Sequence, residues 1–460
     1  MTPVLSRRQA LQSSAIGFGW LALADMLARA ETANPLAPKG PHFEPKAKRV
    51  IFLFMHGGPS QVDTFDYKPK LTADDGKPLP FPKPRVVSSA TGNLLGSPWK
   101  FQQHGQSGAW VSELFPHVAK NVDDLCFVKS MHGSNSRHGG ALLELHTGSD
   151  TFVRPSMGSW VNYGLGTENR DLPGFITICP SLSHGGVNNF SSAFLPAIYQ
   201  GTPLGNSGVP SDRANVPFIA GTTSREQQRR EIDLLGEMDR ERLAQLGPDP
   251  ALEGRIESFE MAFRMQSAAP AVHDLTKETK ETKALYGLDD PATANFGRQC
   301  LLARRFAEAG VRFIQCSHSY KWDQHENLKA DHTKNAKEVD LPIAGLLTDL
   351  KRRGLLKDTL VLWGGEFGRT PVAQGKNGRD HNPHGFTMFL AGGGIKPGIS
   401  YGATDEYGYY SVADKVHFHD LHATMLHLLG LNHLKLTYRH AGRDFRLTDV
   451  HGEVVKGILA

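Results

Sequence analysis

The segment KRVIFLFMHGG (48–58) constrains the chain more than any other: six consecutive apolar residues run from Val50 to Met55 and end on His56 and paired glycines. An unbroken apolar run of this length predicts a strand buried on both faces that opens into a tight loop. A strand of that kind belongs in the middle of a sheet covered by helices on either side.

The pattern recurs down the chain. VSELFPHVAKNVDDLCFVKSM (111–131) predicts a helix, a turn at Asp123–Asp124 and a strand. SRHGGALLELHTG (136–148) predicts a helix after a polar loop, and GFITICP (174–180) a strand. NFGRQCLLARRFAEAGVRFIQCS (295–317) and VDLPIAGLLTDLKRRGLLKDTLVLWGGEFG (339–368) each read as helix, glycine turn and strand. FTMFLAGGG (386–394) is a further strand and DLHATMLHLLGL (420–431) a terminal helix. Strands alternating with helices predict an α/β fold with a mainly parallel central sheet flanked by helices. Residues 225–285 are highly charged with helical periodicity, and predict long surface helices inserted outside that sheet. Ligands of such sheets bind beyond the carboxyl ends of the strands, which is where the polar motifs fall.

The first thirty residues read as a targeting segment. Arg7 and Arg8 precede a short, mildly apolar stretch, and Ala28 and Ala30 give a small-residue cleavage pattern. The paired arginines resemble a twin-arginine signal, which implies passage through that export machinery to the periplasm or beyond. The stretch is too short and too polar for a stable membrane span, and no later run of about twenty apolar residues follows, so the mature protein is expected to have no transmembrane domain. Residues 31–47, rich in Pro, Lys and Ala, read as a disordered lead-in, leaving 48–460 as a single domain.

Apolar residues make up 39% of the chain, enough for a substantial core. The net charge of +4 is a mild bias, without the basic, aromatic-interleaved stripe of a nucleic-acid binder. Cys126, Cys179, Cys300 and Cys316 show no C-x-x-C spacing and read as buried thiols, with export keeping a disulfide open. The 21 histidines say more, because several stand beside Asp, Glu or Asn, and imidazole is the usual metal-binding and proton-transfer group near neutral pH.

Six motifs concentrate this chemistry. His56 and Asp63 fall in HGGPSQVDTFD, whose glycines lack both dinucleotide and P-loop spacing. Ser134, Ser136, Arg137 and His138 precede a predicted helix, where hydroxyls either cap the helix or stand beside a bound anion. Asp323 and His325 follow the strand VRFIQC. Glu366 emerges among glycines at a strand end, and Arg369 is suited to bidentate anion recognition. Asp380, His381 and His384 crowd into GRDHNPHG. In HFHD (417–420), Asp420 reads as a helix cap, while His422 and His427 read as packing or surface residues. Carboxylates, imidazoles, arginines and a hydroxyl at a helix start together suit a hydrolytic site built on one or two divalent ions, with Zn, Mn, Mg and Ca all open. His56, Asp63, Asp323, His325, Glu366, Asp380, His381 and His384 are the candidate ligands. Ser134, Ser136, Arg137, His138 and Arg369 are the candidate catalytic groups.

HGGPSQVDTFDYKP, SMHGSNSRH…HTG, GGEFGRTP, GRDHNPHGFTMFLAGGG, GATDEYG and DLHATMLHLLGL resemble, in this order, the motifs of the DUF1501 family. That family is similar to a branch of the alkaline phosphatase-like superfamily of sulfatases and phosphatases. The resemblance implies an α/β core, a nucleophile near Ser134 or Ser136, and metal ligands near Asp323, His325, Glu366 and His381. The stretch Ser134–Arg137 lacks the C-x-P-S-R pattern of sulfatases, so formylglycine chemistry is not implied. The expectation is an exported, metal-dependent hydrolase of small-molecule or saccharide sulfate or phosphate esters. The alternatives are a non-catalytic binding or structural protein on the same scaffold, and a phosphotransferase or isomerase.

Overall fold

The computed structural model describes residues 35–460 except 83–90, 217–218, 220–222 and 248, so the leader at 1–30 lies outside the described residues. The apolar run forms β1 (Arg49–Met55), buried along its whole length. The strands that build the central sheet and the hairpin beside it are β1 with β2 (Leu125–His132), β3 (Phe175–Ile178), β4 (Thr202–Leu204), β5 (Phe313–His318), β6 (Thr359–Gly364), β7 (Gly368–Gln374), β8 (Gly378–Asn382), β9 (Phe386–Ala391), β10 (Ile399–Tyr401) and β11 (Val416–His417). Nine of them make the central sheet, ordered β10-β2-β9-β6-β1-β5-β3-β4 with β11 added beside β2. All pairings are parallel except those of β9, which runs antiparallel to both β2 and β6. The exception follows from the connection: β6 reaches β9 through the hairpin β7–β8 and not through a crossover helix.

Period-two alternation along β1 divides the core. Ile51, Leu53 and Met55 face one cluster, with Leu301 and Phe306 of α5 (Ala294–Glu308) and Ile343 and Leu346 of α6 (Leu328–Arg352). Val50, Phe52 and Phe54 face the other, with Leu142 and Leu145 of α1 (His138–Thr147), Trp160 of α2 (Met157–Leu165) and Met425 of α7 (Phe418–Leu428). Burying Phe52 or Phe54 contributes about 1.5–3 kcal/mol each, which fixes the register of the strand that carries His56. The charged stretch forms α3 (Arg225–Leu246) and α4 (Pro250–His273). Ser224 caps α3 by accepting from Gln227 N, and Arg229 forks onto Glu260 across the pair.

Three local expectations differ. Residues 35–47 are not a disordered lead-in: Lys39 N donates to Leu165 O, His42 N to Gly430 O and Lys46 N to Leu428 O, while Leu36 and Ala47 are buried. The carbonyls left open at the ends of α2 and α7 supply these acceptors. The helix expected before Asp123 is replaced by a strand, Ala109–Ser112, and a 3-10 turn, Val118–Asp124, because Pro116 cannot donate within a helix. After the expected glycine loop at 365–367 the chain forms the hairpin β7–β8, where no strand was expected. All four cysteines are free and buried. Among the described residues, no helix is long and apolar enough to cross a membrane.

Candidate metal centre

The carboxyl ends of β1, β5 and β6 lie side by side, since Met55 pairs with His318 and Phe54 with Gly364. His56 leaves β1, Glu366 follows β6, and the loop after β5 carries Tyr320, Asp323 and His325. The start of α1 brings His138, and β8 brings His381. Gly57 lets these segments meet. Its φ is +116°, its N–H donates to Glu366 Oε1 at 3.0 Å, and a Cβ there would stand 2.7 Å from Asp323 N.

Asp323 is the hub. Its Oδ1 lies 2.9 Å from His325 Nε2 and 3.1 Å from His381 Nε2, and its Oδ2 lies 3.2 Å from His138 Nε2. Tyr320 OH donates to Oδ2 at 2.9 Å, and Arg369 Nη2 to Oδ1 at 2.6 Å. Burial opposes ionisation of Asp323, but hydrogen bonds from His138, His325 and His381 and the nearby Arg369 charge outweigh it, holding the carboxyl far below the usual carboxylate range.

The other ring nitrogens are committed. His138 Nδ1 donates to Glu366 Oε1 at 2.7 Å, His381 Nδ1 to Ser136 O at 2.7 Å, and His325 Nδ1 to Gln374 Oε1. Burial disfavours charge on His138, yet its bonds to Asp323 and Glu366 prevail and raise it to about 9. Burial likewise resists charge on Glu366, and His138 and His56 overcome it, bringing the carboxyl down to about 2. His56 is fully buried, neither ring nitrogen has a hydrogen-bond partner, and burial lowers it to about 4.

Among the described residues, three groups bring ligand atoms within 4.8 Å of one another: His56, His138 and Glu366; His138, Asp323 and His381; His325, Asp380 and His381. The donor set fits a divalent ion. Imidazole nitrogens and carboxylate oxygens converge, and three rings turn the second nitrogen onto an oxygen acceptor, as metal-ligating histidines do.

Several expected site residues stand elsewhere. Asp63 forms a fully buried fork with Arg379 (Nε–Oδ2 2.7 Å, Nη2–Oδ1 3.1 Å) and accepts from Ser60 Oγ at 2.6 Å, so its oxygens are taken. The Arg369 guanidinium is buried and donates to Gly57 O, to Gly58 O at 3.0 Å, to Arg379 O at 3.2 Å and to Asp323, which commits four of its five N–H groups within the protein. His384 lies against Tyr410, ring centroids 5.5 Å apart, and joins none of the three groups. Ser134 Oγ pairs with His417 Nε2 at 3.1 Å in a separate cleft of about 650 Å³ lined by His132, His419, Arg446 and His451. His417 Nδ1 accepts from His419 N, so Nε2 carries the proton and is no base for Ser134. Ser136 contributes its carbonyl to His381, and the side chain of Arg137 is exposed at the start of α1. Asp380 Oδ1 accepts from His381 N at 2.8 Å and stands 4.0 Å from His325 Nδ1.

The sequence reading missed four contributors. The His184 ring stacks on His138 at 5.0 Å and lies 4.7 Å from Tyr320, and Phe367 stacks on His381 at 4.4 Å. His184-Gly185-Gly186, in the loop after β3, repeats the His-Gly-Gly of residues 56–58, a signal that could have revealed it. Tyr320, Phe367 and Gln374 carry no comparable mark.

With this fold and centre in view, the chain belongs to the family described as protein of unknown function DUF1501, whose model matches residues 47–459. No curated protein matches the sequence. Among solved structures, the chain is similar to a lipoteichoic acid synthase from Listeria monocytogenes, at 10% identity over 91% of this chain and 79% of that one, TM-score 0.34. A sulfatase from Pseudoalteromonas sp. gives 12% identity over 84% and 68%, TM-score 0.33. A Mg-bound alkaline phosphatase variant from the Antarctic bacterium TAB5 gives 10% identity over 84% and 99%, TM-score 0.35.

Proposed function

We propose that this chain is a metal-dependent hydrolase of sulfate or phosphate esters that works in the periplasm after twin-arginine export. The observation that carries the reading is Asp323, a single carboxylate faced by His138 from the start of α1, His325 from the loop after β5 and His381 from β8. The ester class comes from the motif resemblance to the DUF1501 family, which is similar to a branch of the alkaline phosphatase-like superfamily. His138, Asp323 and His381 would hold a divalent ion there, which would supply Lewis acidity towards a sulfuryl or phosphoryl oxygen. Around it, Arg137 is free to meet an anionic oxygen, and the ring of His184 with Tyr320 walls the approach to His138. Ser136 is the better-placed hydroxyl, because its own carbonyl holds His381, whereas Ser134 faces the other cleft.

The test is elemental analysis of protein purified without added metal, with p-nitrophenyl sulfate and p-nitrophenyl phosphate as substrates, beside Asp323→Ala. Stoichiometric metal and hydrolysis, both lost in Asp323→Ala, support the reading. Wild-type protein that binds none of Zn, Mn, Mg or Ca refutes it. The engagement of Ser134 with His417 favours a second reading, a non-catalytic binding protein, which predicts bound metal with no turnover of either ester.

A further inference from the structure

We infer that the outer face of α3 is a docking surface for a second copy of this chain, with two α3 helices packed antiparallel about a two-fold axis. This surface lies on the inserted helices, outside the sheet that carries the metal centre. α3 is tied to α4 along one side: Gly236 and Asp239 are buried there, Arg255 Nη2 pairs with Asp239, and Arg229 forks onto Glu260. Away from α4, Leu234, Leu235 and Met238 are exposed, at 59%, 43% and 59%. At 3.6 residues per turn these three share one stripe with Glu231 and Arg242, spanning about 100° of the helix surface. A contiguous apolar stripe on an otherwise charged helix marks an interaction surface.

The occupant follows from the placement of the charges. Leu235 and Met238 have their midpoint between residues 236 and 237, and Glu231 and Arg242 have the same one. A second α3 laid antiparallel across that midpoint sets Leu235 against Met238 and Glu231 against Arg242, and the two-fold axis makes each contact twice. Such self-complementarity is what an isologous interface requires, whereas a lipid surface or an unrelated partner asks for no such spacing. Both charges are available for it. Glu231 accepts from Gln227 Nε2 at 3.1 Å, one turn away on the same helix, and Arg242 has no ion-pair partner among the described residues. With 22 residues, α3 spans about 33 Å, enough to carry the whole set on both sides of the axis.

Analytical ultracentrifugation of the full-length chain tests this. Wild type is expected to show a monomer–dimer equilibrium in the micromolar range, and the variant carrying both Leu234→Glu and Met238→Glu to sediment as a monomer throughout. Both side chains are exposed, so the fold is kept, which circular dichroism and an unchanged Tm check. Glu231→Arg and Arg242→Glu are each expected to weaken the dimer about 2–30-fold, because the axis repeats the like-charge contact. The double charge swap is expected to restore wild-type affinity. A wild-type chain that stays monomeric overturns the proposal, and binding of that monomer to vesicles of anionic phospholipid would assign the stripe to a membrane surface. A dimer that survives Leu234→Glu with Met238→Glu has its interface elsewhere and overturns it as well. A double swap no tighter than either single variant overturns the antiparallel register.

Discussion

Asp63→Asn separates the framework of the centre from its ligands. Asp63 and Arg379 are both fully buried and form a two-bond fork, and Ser60 Oγ adds a third bond to the carboxylate. Asparagine preserves the shape and one acceptor oxygen. It removes the charge, and it turns an amide group towards the guanidinium or the Ser60 hydroxyl. The Arg379 cation then keeps its bond to Thr370 O at 3.1 Å but has no buried counter-charge. Breaking one half of a buried ion pair in this way costs about 3–5 kcal/mol. Arg379 also lies beside Asp380 and His381, so the loss is expected to fall on stability first. Urea unfolding followed by tryptophan fluorescence measures it, with metal content determined in the same samples below the transition. The expected result is a destabilisation in that range with metal still bound, and a coupling energy above about 1 kcal/mol in a cycle with Arg379→Gln. A destabilisation below about 1 kcal/mol together with loss of metal would refute the reasoning and return Asp63 to the ligand set.

Other perturbations test other parts of the molecule. His422 is fully buried and donates from Nε2 to Leu145 O at 2.7 Å, and burial, with His419 nearby, lowers it to about 3. Its unfolded form takes up a proton below about pH 6.5 and the folded form does not until about 3. The stabilisation from keeping it neutral is therefore complete above pH 6.5 and falls as pH drops through that window, by about 1.4 kcal/mol per unit. His422→Gln should reduce proton uptake on unfolding at pH 5 by about one, and an unchanged uptake contradicts the burial argument. Gly57→Ala places a methyl 2.7–2.8 Å from the backbone of Trp322 and Asp323 at a φ of +116°, so it should both destabilise the protein and abolish metal binding. Retained affinity would show that the Asp323 loop does not depend on that contact. Cys126 and Cys179 are buried, which pushes both thiols up to about 12, so neither should react with a thiol-specific reagent at pH 8 until the protein unfolds. Rapid native labelling at either position would count against the packing described.

The part of the centre legible in sequence is the part written in strand ends. Apolar runs such as Val50–Met55 specify central parallel strands, and whatever follows them must emerge at the carboxyl edge, as His56, Asp323 and Glu366 do. The Asp63, His384 and Arg369 expectations shared a different weakness. They rested on residue type, and type does not say which neighbour a donor or acceptor meets first. Arg369 is as suited to three main-chain carbonyls and a carboxylate as to an anion, and the folded chain offers it Gly57 O, Gly58 O, Arg379 O and Asp323.

The hairpin β7–β8 shows why the remainder stayed hidden. Its sequence, GRTPVAQGKNGRDHN, combines glycines, a proline and charges, and reads as loop by local preference. Pairing turns it into the support of the centre. Arg369 lies opposite His381, so one cross-strand pair places the guanidinium on Asp323 and an imidazole beside it. Five residues on, Gln374 reaches His325, and Gln61 clamps the base of the hairpin by accepting from Arg369 N and donating to Arg369 O. None of these partners is near the hairpin in sequence. They become neighbours only once β1, β5 and β6 are in register, so the hairpin's structure is a consequence of the sheet, and the centre is assembled by tertiary contacts that no local pattern encodes.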